Sequence, residues 1–160
     1  MSDSEKLTAQ LTAVRERLAE VERELRQDSI ELLDDPKARN RLAVLVVDKV
    51  ALPYQIAELE RRVIEARLGE LREAYAAATS DLAAAGADLG PLVSEYRAIE
   101  QERRILINRL GSGAAEVLPL SERMQALQAQ MAPIRARQAS AQSRADVAVN
   151  EARELGVELR

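Results

Sequence analysis

The stretch that decides the fold is LSERMQALQAQMAPIRARQASAQSRADVAVNEARELGVEL, residues 120–159. Its core positions recur alternately four and three residues apart, which is the spacing of a coiled-coil seam or of one face of a helix in a bundle. The seam consists of Leu120, Met124, Leu127, Met131, Ile134, Gln138, Ala141, Ala145, Ala148, Ala152, Leu155 and Leu159. This pattern predicts a protein that works by packing helices against other helices.

The seam changes character along its length. It is bulky as far as Ile134, and alanine then occupies four core positions, Ala141, Ala145, Ala148 and Ala152. Alanine lets two helix axes approach closely but buries little apolar surface, so this part is too weak to hold an isolated dimer. Two interpretations stay open: a thin helix packed within a bundle, or a C-terminal arm that docks on another protein.

The composition supports a helical fold. Hydrophobic residues make up 47% of the chain and charged residues 31%, whereas aromatic residues make up only 2%. A mixture rich in Ala, Glu, Leu and Arg is typical of coiled coils and long helices. We therefore predict an all-α fold, an elongated helical bundle or coiled coil of about four helices, with kinks near Pro53 and Pro133 because proline removes a helix hydrogen bond.

The first predicted region, residues 1–34, is an N-terminal coiled-coil helix. Ser2 and Glu5 have the spacing of a capping box, and Glu22 and Arg26 are placed for an ion pair one turn apart. The heptad positions that follow the cap are Leu7, Leu11, Val14, Leu18, Val21 and Leu25.

The second predicted region, residues 35–110, is a central helical region. Asp35 is a good N-cap and Pro36 a good first helical residue. Residues 42–59 are apolar on several faces, since extra valines flank the heptad positions, and such a helix is usually buried. We predict that this segment forms the centre of the assembly, and a β-strand over residues 42–47 is the alternative. The flanking valines are Val44, Val46, Val47 and Val50.

Later in this region the heptad register is displaced, which indicates a local change of supercoil or a different partner helix. The displaced positions are Leu68, Leu71, Tyr75, Ala78 and Leu82. Gly86 and Gly90 predict a turn, and Pro91 is expected to open a third helix. The glycines at positions 111 and 113 predict a hinge over residues 111–119. Residues 120–160 then form the C-terminal helical arm with the alanine-rich seam.

The sequence offers little catalytic chemistry. It has no cysteine and no histidine, so disulfides, the usual zinc, haem and iron–sulfur ligands, and the commonest nucleophile and general base are missing. We expect no catalytic site, no cofactor and no metal, and therefore not an enzyme. Residues 42–59 contain Asp48, Lys49 and Pro53, so we expect no membrane span, and the polar N-terminus lacks signal-peptide features. The expected location is the cytoplasm, or a virion for a viral chain.

Nucleic acid is not an expected partner. The net charge is −4, and arginines such as Arg62 and Arg104 lie four residues after Glu58 and Glu100. This spacing is typical of ion pairs within a helix rather than of a phosphate-binding surface.

The function predicted from these patterns is a non-catalytic structural or assembly protein, a homo-oligomeric scaffold or particle component that contacts itself and another protein. The alternatives are a regulator or chaperone that binds a partner through one helix face, and a nucleic-acid-associated helical protein. Acidic, cysteine-free helical chains resemble viral scaffolding and virion-associated proteins in general character, which suggests a virion as one setting. The predicted interface residues are Leu11, Leu18, Leu25, Val47, Ile56, Leu59, Leu127, Ile134, Ala141, Ala145, Ala148 and Ala152.

Overall fold

The computed structural model describes residues 1–28 and 36–159 of the chain. These residues form three α-helices: α1 (Asp3–Asp28), α2 (Pro36–Leu110) and α3 (Val117–Glu154). The predicted all-α class is confirmed, and no strand occurs within the two described ranges. The expectation of about four helices is wrong for this part of the chain, which contains three.

The sequence predicted two helices in the stretch where the structure has the single helix α2. Gly86, Gly90 and Pro91 were expected to form a turn and a new helix start, but α2 continues through all three, as it does through Pro53. Residues 42–47 are also helical, so the strand alternative is wrong. A proline inside a helix costs about 3 kcal/mol, and packing of the flanking helical turns offsets that cost. In α3, Pro133 likewise lies inside an undivided helix.

The helix ends follow local sequence signals. The predicted capping box is confirmed: the Ser2 N–H donates to the Glu5 carboxylate at 2.7 Å, and the Glu5 N–H donates to the Ser2 hydroxyl at 3.2 Å. Gly111 ends α2 with a φ of +89°, a conformation that favours glycine. Gly156 ends α3 in the same way, with a φ of +77°. The predicted N-cap at Asp35 lies outside the described residues.

Helix α3 begins and ends a few residues earlier than the predicted helix. The helix begins at Val117, before the expected start near residue 120, and its last helical residue is Glu154. The Val157 N–H donates to the Ala152 carbonyl at 2.9 Å, which completes a Schellman motif with Gly156. The last two seam residues, Leu155 and Leu159, therefore lie beyond the helix.

The chain forms two compact units, Met1–Glu70 and Leu71–Arg160. The first, here called the N-terminal hairpin, packs α1 against residues 36–70 of α2. Cross-helix ion pairs join Arg15 to Glu60 and Glu24 to Arg41. Because the partner number falls as the α1 number rises, the two helices are antiparallel. The core contains Val21, Leu45 and Leu52, and the half-buried residues around it are Val14, Leu18 and Leu25.

The second unit, here called the C-terminal hairpin, packs residues 71–110 of α2 against α3. Ion pairs join Glu95 to Arg123 and Asp88 to Arg137, and these pairs again run antiparallel. Its buried residues on α2 are Leu71, Ala78, Ala85 and Ile99, and those on α3 are Val117, Leu127, Met131, Ala141, Ala145, Ala148 and Ala152.

The displaced register in α2 coincides with a change of partner helix. In the N-terminal hairpin the buried positions of α2 are Ala38, Leu45 and Leu52, seven residues apart. In the C-terminal hairpin Leu71, Ala78 and Ala85 keep the same interval in a different phase. The first set faces α1 and the second faces α3, so the interpretation that a different partner takes over at this point agrees with the structure.

Candidate interaction surface

The most unusual surface of the N-terminal hairpin is the side of α2 that faces away from α1. Here the chain exposes Val46 at 49%, Val47 at 64%, Val50 at 61% and Tyr54 at 77%. Ala43, Pro53 and Ala57 on the same side are exposed as well. We call these seven residues the outer face of α2.

Helix periodicity explains how the same segment can bury one side and expose another apolar side. Successive residues are rotated by about 100° around the axis, which places Val47, Val50 and Tyr54 roughly opposite Leu45 and Leu52. The residues Ala43, Val47, Val50, Tyr54 and Ala57 repeat alternately four and three apart. The outer face is therefore a second heptad seam on α2, about 21 Å long.

The outer face carries no charge along its length. Arg39, Glu58 and Arg61 lie close to the same side of α2 beyond its two ends, whereas Asp48 and Lys49 project from other sides. Arg61 forms ion pairs with Glu58 at 2.8 Å and with Glu65 at 2.6 Å. The solvent side of an amphipathic helix normally carries charged and polar residues, so a charge-free side is a feature that needs an explanation.

The predicted interface residues fall into two groups in the structure. Val47 is exposed. All the others are buried or half-buried within the hairpins of the chain itself, where they hold α1 or α3 against α2: Leu11, Leu18, Leu25, Ile56, Leu59, Leu127, Ile134, Ala141, Ala145, Ala148 and Ala152. Whether any of them also contacts another chain stays a prediction. The prediction that residues 42–59 form the centre of an assembly also remains open, since the chain alone covers only one side of them.

Sequence reasoning identified the extra valines of this segment but not their arrangement. Together with Val47 and Val50, Tyr54 and Ala57 form a second heptad pattern on the same helix. The signal was present in the spacing, because two interleaved heptad patterns on one helix indicate two packing surfaces. Without knowing which seam faces α1, however, the exposed seam cannot be told from the buried one.

A polar contact joins the start of α1 to α2. Ser4 occupies a heptad position and is buried. Its N–H donates to Glu70 Oε1 at 3.1 Å, and its hydroxyl donates to Glu70 Oε2 at 2.8 Å. These bonds, chiefly the one from the Ser4 N–H, lower the pKa of Glu70 to about 2. Glu70 therefore acts as a cap for α1 that is supplied by the partner helix.

The C-terminal hairpin has an open groove between its helices, lined by residues that include Val93, Tyr96 and Met131. Within it, Gln128 donates a hydrogen bond to the Tyr96 hydroxyl at 3.0 Å, which links α3 to α2. Because this polar pair joins the two helices, the groove belongs to their packing.

Cross-helix ion pairs fix the register of each hairpin. Arg17 lies 3.3 Å from Asp48 in the N-terminal hairpin, and Arg144 lies 2.6 Å from Asp81 in the C-terminal hairpin. These pairs are largely exposed, so each adds little stability. The predictions concerned ion pairs within one helix. The pair of Glu22 with Arg26 is confirmed at 3.8 Å, whereas Glu58 pairs with Arg61 rather than with Arg62.

Comparisons with known proteins found no match: no protein-family model, no curated protein and no solved structure is similar to this chain. Among the described residues, no three acidic side chains form a group that could hold a metal ion. Across the same residues, no helix is both long enough and apolar enough to cross a lipid bilayer.

Proposed function

We propose that this chain is a non-catalytic structural protein that assembles by packing its helices against other helices. The observation that supports this proposal is the exposed, charge-free outer face of α2. Val46, Val47, Val50 and Tyr54 are 49–77% exposed and form a contiguous apolar patch of four large side chains. Patches of this size commonly mark sites of protein–protein contact.

The spacing of the outer face suits a helical partner. The spacing between Val47, Val50 and Tyr54 is three and then four residues. Side chains with this spacing can insert as knobs into the holes between side chains of a facing helix. Tyrosine adds a large apolar ring with a polar hydroxyl that can stay at the rim, an arrangement that is frequent at interfaces. A partner with an apolar helix face would therefore cover this surface without leaving a charge buried.

The remaining chemistry of the chain agrees with a structural role. The titratable side chains at the hairpin interfaces, such as Arg15, Glu60 and Glu70, form contacts between helices. The proposal includes an oligomeric scaffold or a particle component. Because the composition resembles that of viral scaffolding and virion-associated proteins in general character, we include a virion as one setting.

Light scattering over a range of concentrations tests the proposal. The chain has a mass of 17.7 kDa, and we expect the measured mass to be a multiple of this value. The substitution Val47→Asp places a charge on the outer face, so it should raise the concentration needed for assembly at least about tenfold. The chain should stay folded, because Val47 is 64% exposed.

Val147→Asp is the matched control. Val147 is also an exposed valine inside a helix, with 52% exposure, but it lies on α3. This control should assemble like the unchanged protein. A chain that remains at 17.7 kDa at every concentration up to about 1 mM would contradict self-assembly, since specific contacts form below this limit.

A further inference from the structure

We propose that the open groove between α2 and α3 binds a small monocarboxylate that carries an apolar group. The groove has a volume of about 380 Å³, near the lower end of the range for small-molecule sites. Besides its apolar residues, Arg97 and Glu100 of α2 and Arg135 of α3 line it. This inference goes beyond the proposed function and does not depend on the outer face of α2.

The packing of α2 on α3 forms the two walls of the groove and leaves one side open. The hydrogen bond between Gln128 and Tyr96 sets the register of the two helices at this point. Since the helices are antiparallel, Val93, three residues before Tyr96, lies opposite Met131, three residues after Gln128. Val93 and Met131 are half-buried and buried, and they form an apolar floor.

The two arginines reach this floor from opposite directions. Arg97 follows Val93 by four residues on α2, and Arg135 follows Met131 by four residues on α3. Side chains of a helix incline towards its N-terminus, so each arginine leans back over the apolar residue one turn before it. Because the helices are antiparallel, the two guanidinium groups incline towards each other along the groove.

Arg97 and Arg135 differ from other arginines of the C-terminal hairpin. Arg123, Arg137 and Arg144 each pair with a carboxylate of α2 within 3.0 Å. Among the residues that the structure describes, neither Arg97 nor Arg135 has an ion pair or a side-chain hydrogen bond. The groove therefore presents two guanidinium groups whose donors are available to a ligand.

Glu100 lies in the same groove and does not neutralise Arg97. The arginine precedes the glutamate by three residues, the reverse of the favourable order for an ion pair within a helix. Arg97 also inclines away from Glu100, towards the N-terminus of α2. The lining carries two positive charges and one negative charge. One carboxylate balances this net positive charge, whereas a phosphate group, with about −1.5 to −2 charges at pH 7, exceeds it.

The class of ligand follows from the two kinds of lining. Arginine holds a carboxylate through two parallel N–H donors. The ring of Tyr96 and the thioether of Met131 lie on the same lining and favour contact with an aromatic group. A carboxylate joined to a ring by a short chain uses both kinds of contact. We therefore choose 3-phenylpropionate as the probe.

Isothermal titration calorimetry of the full chain with 3-phenylpropionate tests the inference. We expect one probe per chain, with a dissociation constant of about 1 mM or below. The neutral analogue 3-phenylpropionamide has nearly the same shape without the charge and should bind at least about tenfold more weakly. Inorganic phosphate, which lacks the apolar group, should also bind at least about tenfold more weakly.

Two substitutions locate the site. Arg97→Gln and Arg135→Gln each remove one guanidinium at an exposed position, so the chain should stay folded by circular dichroism. Each should weaken binding of the probe at least about fivefold, because a charge-assisted contact is lost. Arg62→Gln is the matched control, since Arg62 is an exposed arginine of α2 in the N-terminal hairpin. It removes the same charge from the chain and should leave binding unchanged.

Each contrary result overturns the inference. Equal binding of the amide would show that the charge of the carboxylate is not recognised, and equal binding of phosphate would show a general anion site. An equal loss with Arg62→Gln would assign the effect to the net charge of the chain. The absence of saturable binding below about 10 mM would overturn the site itself. None of these results bears on assembly, which light scattering measures separately.

Discussion

The two hairpins use the same heptad interval with side chains of different size. The N-terminal hairpin fills its seam with Val21, Leu45 and Leu52, all of them less than 10% exposed. The C-terminal hairpin fills much of its seam with alanine, and Ala78 and Ala141 are fully buried. A bulky seam is stabilised by the apolar area of each side chain, whereas an alanine seam depends on close approach of the two backbones. We therefore expect shorter core side chains to destabilise the N-terminal hairpin most, and larger ones to destabilise the C-terminal hairpin most.

Shortening a side chain should harm the N-terminal hairpin most. Leu45 is 2% exposed and belongs to the core cluster. Leu45→Ala should lower the free energy of unfolding by about 2–5 kcal/mol, because it removes buried methyl groups and leaves a cavity. Urea unfolding followed by circular dichroism measures this loss. Val44→Ala, one residue earlier and 59% exposed, should change the free energy by less than about 0.5 kcal/mol.

Enlarging a side chain should harm the C-terminal hairpin instead. Ala145 is 4% exposed on α3. Ala145→Leu forces the helices apart and should cost about 1–3 kcal/mol in the same unfolding experiment. Ala139→Leu, at an exposed position of the same helix, is the control and should be close to neutral. A stabilised Ala145→Leu protein would mean that the alanine seam is loosely packed.

The alanine seam also shows what sequence reasoning could decide. Heptad spacing identified Leu127, Met131 and the four alanines as one helix face, and all six are buried. The spacing could not say what covers them, because alanine at a core position is equally compatible with α2 of the same chain and with another protein. The antiparallel contacts of α3 with α2 bury these alanines within the chain, and docking of α3 on another protein stays a prediction.

The turn predicted at Gly86 and Gly90 failed for a different reason. Glycine and proline are local signals, and they weaken a helix without always ending it. The heptad positions Ala78, Ala85 and Ile99 continue through this stretch and are buried against α3. Tertiary packing on both sides of Pro91 therefore outweighs the local preference for a turn. The outer face of α2 was missed because two seams on one helix look alike until a partner is placed on one of them.

The polar contact at Glu70 gives the N-terminal hairpin a pH dependence. Its pKa is lowered to about 2 in the folded chain from an ordinary value of 4.5, chiefly because the Ser4 N–H donates to it. The stabilisation is thus complete above pH 4.5 and is lost as the pH falls towards 2. Glu70→Gln should lower the melting temperature at pH 7, by less than Ala145→Leu does. The difference from the unchanged protein should shrink below pH 4.

Glu73→Gln serves as the control for this titration. Glu73 is exposed on α2, three residues beyond Glu70. Its removal should leave the melting temperature and its pH profile unchanged. An equal effect of both substitutions would assign the pH dependence to the net charge of the chain rather than to the cap on α1.

The smallest expected effect tests the undivided α2. Gly90 lies inside the helix, and a methyl group added there meets nothing within 4 Å. Gly90→Ala should therefore stabilise the chain by about 0.5–1 kcal/mol, because alanine is the better helix former. Gly111→Ala is the opposite control, since its φ of +89° disfavours a side chain, and it should destabilise by about 1 kcal/mol. Destabilisation by both substitutions would place a turn at Gly90 and divide α2 as the local sequence predicts.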